Sequence, residues 1–84
     1  MSFRVILKPS ANKEWSGLPA KIQSQIATVL IKLGENPHPP GSLKLKGRDG
    51  YRTRSAVYQI LYSVDQAGAV VTILAIGHRR EIYR

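Results

Sequence analysis

The chain has 84 residues, 43% of them hydrophobic and 21% charged, which suits one small globular domain over residues 1–84. It contains no cysteine, which excludes disulfide staples and thiolate metal sites, and no apolar stretch near the roughly 20 residues that a membrane-spanning helix requires. Thirteen Lys and Arg against five Asp and Glu leave a net charge of +8, the balance expected of a protein with a polyanionic partner.

Residues 3–8 alternate, with Phe3, Val5 and Leu7 opposite Arg4, Ile6 and Lys8, and predict a short strand. The charges within this short apolar run are unlike a signal peptide, so a soluble, cytoplasmic protein is expected. Pro9-Ser10 breaks the strand, and Ser10 is placed to cap a short helix that runs to about Gly17. Pro19 suits the first turn of a second helix, in which Ile22, Ile26, Val29, Leu30 and Leu33 form one apolar stripe. Gly34 reads as its stop, followed by the extended connector Pro37-His38-Pro39-Pro40-Gly41-Ser42.

Everything after the connector reads as sheet. Strands are predicted over 43–46, 51–55, 58–64 and 70–77, with a hairpin turn at Asp65-Gln66-Ala67-Gly68. The run from Val70 to Ile76 is nearly continuously apolar, the mark of a central strand covered on both faces. The expected fold class is α+β, in the order β-α-α-β-β-β(-β), with two helices packed on one face of a mainly antiparallel sheet.

The basic residues cluster. Lys44, Lys46, Arg48, Arg52 and Arg54 lie within eleven positions, and Arg79, Arg80 and Arg84 within the last six. A solvated, solubilising surface is the plain alternative, but two clusters beside so few acids favour nucleic acid. A membrane surface fits less well, because no amphipathic helix carries a basic run. Period-2 geometry puts Arg52 and Arg54 on one face of their strand and Tyr51 and Thr53 on the other. The arginines belong on the face without helices, since unpaired buried charge is costly. The closing segment can bring Arg79 and Tyr83 beside them, giving cations and an aromatic ring suited to single-stranded RNA. Lys44, Lys46 and Arg48, with Gln59, His78 and Arg80, are candidates for binding RNA. Trp15 and the helical stripe read as core, Tyr58 and Tyr62 as sheet-packing residues, and His38 as structural.

The motifs have a family likeness. Ser10-Ala11-x-Lys13-Glu14-Trp15, Leu18-Pro19 and Asn36-Pro37-x-Pro39-Pro40-Gly41-Ser42-x-Lys44-Leu45-Lys46-Gly47 resemble the N-terminal half of RelE-type toxins in the RelE/ParE superfamily. Tyr51-Arg52-x-Arg54, Tyr58-x-Ile60-x-Tyr62 and Ile76-Gly77-His78-Arg79-Arg80-Glu81-Ile82-Tyr83-Arg84 resemble the C-terminal half, so the likeness spans essentially the whole chain. The closing motif is similar to the mRNA-interferase branch rather than the gyrase-poisoning branch. The resemblance implies a RelE-like fold and a metal-independent endoribonuclease that cuts mRNA in the ribosomal A site. It also implies neutralisation by a RelB-type antitoxin, which supplies contact with operator DNA. The family's catalytic positions fall on Arg52, Arg54, Arg79 and Tyr83. At Gln59 the chain departs from the pattern, because many relatives carry an arginine there to stabilise the transition-state phosphate.

The chemistry agrees with an RNA substrate. Cleavage by the adjacent 2′-OH needs a base, an acid and fixed cations around the phosphorane. Arginine supplies the cations but cannot act as base, which leaves His78 and Tyr83 as titratable candidates. Nearby positive charge lowers a tyrosine pKa, which favours Tyr83 for proton transfer or stacking. No cofactor is expected, and two distant histidines with scattered acids make no metal ligand set. A gyrase-directed toxin on the same fold and a catalytically weak nucleic-acid or antitoxin-binding module are the alternatives.

Overall fold

A computed structural model describes residues 2–78. In chain order its elements are β1 (Arg4–Leu7), α1 (Pro9–Ser16), α2 (Ala20–Glu35), β2 (Leu43–Lys44), β3 (Tyr51–Ser55), β4 (Tyr58–Asp65) and β5 (Val70–His78). The strands form one five-stranded sheet in the order β1-β5-β4-β3-β2. Only the β1–β5 pair is parallel, which makes β5 an inner strand and leaves β1 and β2 as the edges. The α+β architecture, with two helices on one face, is as expected.

Neither helix is capped where the sequence signals point. Pro9 opens α1 at its first turn with Lys8 as the N-cap, so Ser10 lies inside the helix and makes no cap. Proline fits there because the first helical N–H groups have no intrahelical partner. Pro19 is itself the N-cap of α2, and its carbonyl accepts the Gln23 amide at 2.9 Å. The two helices are zipped by a reciprocal pair. Trp15 Nε1 donates to the Gln23 carbonyl (3.1 Å), and Gln23 Nε2 donates to the carbonyls of Trp15 (3.1 Å) and Ser16 (3.0 Å).

Gly34 is not a stop. The helix runs through it to Glu35, and Asn36 is the C-cap. Its role is close approach: the Phe3 amide donates to its carbonyl at 2.6 Å, and a Cβ there would lie 3.0 Å from the Phe3 carbonyl oxygen and 3.1 Å from Val5 Cγ2. A missing side chain lets β1 and α2 pack directly against each other.

The core lies between the helices and the sheet. Ala11, Ile26, Leu30 and Leu33 meet Ile60, Tyr62, Val71, Ile73 and Ile76, with Trp15, Ile22 and Tyr58 packed around them. Burying one such aliphatic side chain contributes about 1.5–3 kcal/mol. β5 departs from the expected two-sided strand. Its pairing with β4 jumps from Leu61↔Ala75 to Tyr62↔Ile73, so Leu74 has no partner in the register. Val71 and Ile73 point into the core before this bulge and Ile76 after it, while Leu74 and Ala75 are half-buried. An apolar run longer than one face needs is thus explained by a change of phase, because a bulge puts two residues opposite one.

The connector is anchored at its first residue. Pro37 is buried, and the buried Tyr62 hydroxyl donates to its carbonyl at 2.7 Å. Burial raises the Tyr62 pKa above its usual value; the Ser42 hydroxyl works against that shift and the nearby Tyr51 adds to it. His38 sits with its ring edge-on to Tyr51, with ring centroids 4.9 Å apart, and its Nε2 lies 3.3 Å from Gln66 Nε2. Beside β1 and α2 an apolar cavity of about 420 Å³ opens, lined by residues including Phe3, Val5, Leu7, Leu30 and Ile31. No helix of the described residues is long and apolar enough to cross a membrane.

Candidate nucleic-acid interface

Register places the candidate residues. β3 pairs with β4 through Arg52↔Leu61, Thr53↔Ile60 and Arg54↔Gln59, and β4 continues to β5 through Gln59↔Gly77, Ile60↔Ile76 and Leu61↔Ala75. Directly paired residues share a face. Thr53, Ile60 and Ile76 therefore form a rung under the helices, and all three are buried. Arg54, Gln59 and Gly77 form the neighbouring rung on the helix-free face, with Arg52, Leu61 and Ala75 two residues along. The alternation of Tyr-Arg-Thr-Arg-Ser in β3 produces this arrangement, with the two arginines roughly 7 Å apart along the strand.

The rung is graded in depth. Arg54 is exposed, Arg52 half-buried, and Gln59 only 3% exposed. Gln59 and Leu61 are buried although they face away from the helices, and neither belongs to the main core cluster. Gly77 and Ala75 bring almost no side chain to the β5 end of the two rungs. Gln59 thus lies directly across from Arg54.

Other candidates lie elsewhere. Lys44 pairs with Tyr51 and so stands on the face opposite Arg52, while Leu43 pairs with Arg52 itself. Both Lys44 and Leu43 are exposed. Lys46 and Arg48 are exposed on the loop joining β2 to β3. That loop is closed by the Leu45 amide donating to the Gly50 carbonyl at 2.9 Å. Gly50 has φ +121°, and a Cβ on it would lie 2.9 Å from the Tyr62 carbonyl oxygen and 3.2 Å from Leu45 Cδ1. Only glycine suits that backbone and that gap. His78 pairs with Tyr58, with ring centroids 6.0 Å apart in an edge-on contact, and so belongs to the face opposite Gln59. Arg79, Arg80 and Tyr83 lie outside the described residues. Among the described residues, no group of three or more His, Asp or Glu side chains could hold a metal ion.

One contact near this interface has no counterpart in the pattern reading. Glu14 Oε1 accepts the Ile76 amide at 3.0 Å, joining α1 to β5 across 62 residues of sequence. Nothing in local periodicity signals it. Only its being one of five acids in a basic chain sets Glu14 apart in the sequence.

Known proteins resemble the chain along its whole length. Residues 5–83 match the family model described as ParE toxin of type II toxin–antitoxin system, parDE. No curated protein sequence matches it. Among solved structures, the isolated E. coli RelE toxin is 28% identical, with a TM-score of 0.80, covering 98% of this chain and 92% of that one. A chain of the archaeal RelE–RelB complex from Pyrococcus horikoshii is 26% identical, with a TM-score of 0.80 over 96% of this chain and 99% of that one. A RelBE toxin–antitoxin complex from Mycobacterium tuberculosis shares the fold at 22% identity, with a TM-score of 0.84 over 94% of this chain and 100% of its own. With the family model spanning nearly every residue and RelE structures superposing on the same sheet and helices, the chain belongs to the RelE/ParE superfamily of type II toxin–antitoxin toxins.

Proposed function

We propose that this toxin is a ribosome-dependent endoribonuclease that stops translation by cutting mRNA in the A site. The observation that carries the reading is the rung Arg54–Gln59–Gly77. It puts Arg54 on the helix-free face, with Arg52 two residues along, on the strand pair whose β5 member precedes Arg79, Arg80 and Tyr83 in the sequence. In the reaction the 2′-oxygen bonds to phosphorus, the bond from phosphorus to the 5′-oxygen breaks, and a 2′,3′-cyclic phosphate and a 5′-hydroxyl result. A base takes the 2′ proton and an acid protonates the leaving oxygen. Arg52, Arg54 and Arg79 neutralise the charge that builds on the phosphorane, and Tyr83 takes part in proton transfer or stacks on a base. Lys46 and Arg48, exposed on their loop, hold RNA backbone away from the reacting phosphate. The toxin acts in the cytoplasm, and a RelB-type antitoxin covers the arginine face and connects the pair to operator DNA. Support for that partner comes from the RelE–RelB complexes among the similar structures.

Pulse labelling after induction without the antitoxin tests this reading. Protein synthesis should stop first, with mRNA cut on programmed ribosomes. A gyrase-directed activity is the second reading, favoured by the ParE description of the matching family model. It requires the opposite outcome: DNA synthesis stops while translation continues, and the purified toxin blocks supercoiling.

A further inference from the structure

β5 is supported differently along its two halves. From Val70 to Ile73 it lies between β4 and β1, each residue having a partner on both sides. β1 ends at Leu7, and its last bond to β5 runs from the Lys8 amide to the Ile73 carbonyl at 3.0 Å. Beyond that point the chain turns into α1, and among the described residues no strand continues along that edge beside Ala75–His78. The first residue past that point is Leu74, which the β4–β5 register leaves unpaired. Strand support therefore ends on one edge just where the pairing on the other edge changes phase.

Into this gap reaches Glu14. Its Oε1 accepts the Ile76 amide at 3.0 Å, doing for β5 what the next residue of β1 would have done. A carboxylate bond to a backbone amide is about twice as strong as a neutral one. Its place in the strand matters, because a one-residue slip sends every side chain of a strand to the other face. With Ile76 held, Ile76 fills the core and Gly77 lies beside Gln59 and Arg54; a shift of one residue would exchange the two faces.

We propose that Glu14 is a positioning residue for the toxin's active site. Its carboxylate locks the register of Ala75–His78 past the bulge, and so holds Gly77 beside Gln59 and Arg54 on the helix-free face. The proposal rests on the endoribonuclease reading for its effect on rate, but its structural half can be read without any RNA.

The test compares Glu14→Ala, which removes the acceptor, with Glu14→Gln, which removes the same charge but keeps an oxygen within reach. Amide hydrogen exchange and single-turnover cleavage on programmed ribosomes are measured for both, with Arg54→Ala as reference. In Glu14→Ala the Ile76 and Gly77 amides should exchange faster than in wild type. The cleavage rate constant should fall on the order of tenfold or more, as expected for a misplaced catalytic group. Ribosome binding and reaction amplitude should hold, since a merely unfolded fraction would lower the amplitude and leave the rate constant alone. Glu14→Gln should recover most of the protection and most of the rate. If Glu14→Ala does not fold, Glu14→Asp takes its place, keeping the charge and losing one methylene of reach. Wild-type protection of Ile76 in the acceptor-less variant, or equal defects in Glu14→Ala and Glu14→Gln, overturns the proposal. A wild-type protein that cuts no RNA overturns the endoribonuclease reading instead, and the exchange data still decide whether Glu14 holds the register.

Discussion

The two faces of β4 are built to different rules, although both are buried. Under the helices, Tyr58, Ile60 and Tyr62 join one apolar cluster with residues from α1, α2 and β5. On the opposite face Gln59 and Leu61 are 3% and 4% exposed, yet they stand between arginines on β3 and small residues on β5. The first face gains its stability from area removed from water. The second sets a buried polar amide directly across from Arg54. Alternation along one strand lets the same eight residues serve both purposes.

The sharpest way to break this division is to truncate one residue on each face. Ile60→Ala should destabilise the fold by about 2–5 kcal/mol, because no neighbouring group can fill the void. A loss of 1 kcal/mol lowers Tm by about 4–8 °C in a domain of this size, so thermal melts will resolve it. Arg54→Ala should leave Tm within the narrow range of exposed substitutions, roughly 0.5 kcal/mol, and lower single-turnover cleavage on programmed ribosomes about a hundredfold. A reversal of the two effects would make the helix-free face structural.

Tyr62 tests the covered face more finely. Tyr62→Phe keeps the ring and strands the Pro37 carbonyl, at a cost of about 1–3 kcal/mol. It also carries a pH signature. Because burial raises the Tyr62 pKa in the folded state, its stabilising contribution is complete below the unfolded value of 10.0. It is lost as pH climbs through the higher folded value, since the unfolded chain releases that proton first. Denaturant titrations above pH 10 should therefore show wild type falling toward Tyr62→Phe, with a constant gap between them at neutral pH.

Gln59→Arg sharpens the other face. A third cation in register with Arg54 should raise the cleavage rate roughly tenfold if about 1.4 kcal/mol of transition-state stabilisation is gained. The longer side chain can carry its charge outward from the buried position that glutamine occupies. An unchanged or lower rate in a folded protein would mean that the site is complete with glutamine.

The smallest effect concerns the turn that joins the two strands. Ala56 has φ 55°, an uncommon conformation for a residue with a Cβ. Ala56→Gly relieves it and should stabilise the hairpin by about 0.5–1 kcal/mol while leaving Arg54 and Gln59 in register. A loss of cleavage without a loss of stability would show that the strain itself helps to hold the rung. Ala69, at φ 54°, offers the same substitution in the β4–β5 turn, away from the arginines. There the left-handed residue is Ala69 rather than Gly68, whose amide instead donates to Asp65 Oδ1 at 3.0 Å.

Much of this was legible in the sequence, because it is local. The apolar stripe of α2, the alternation of β3 and the breaks at Pro9 and the Pro-rich connector depend on residues a few positions apart. β3 falls on the predicted 51–55, and the face carrying Arg52 and Arg54 follows from period two alone. The family motifs added the toxin identity and the candidate roles of the closing segment. What pattern could not supply is pairing between distant residues. The parallel β1–β5 contact, the unpaired Leu74, the facing of Lys44 away from Arg52 and the clamp from Glu14 to Ile76 all depend on register between strands far apart in the chain. Gly34 shows the same limit at one residue: a glycine near a helix end reads as a stop, and only the close approach of β1 gives its actual role. Periodicity tells which side of its own strand a residue takes. Which residues it then faces is decided only when long-range pairs close, and their geometry is set by the packed whole.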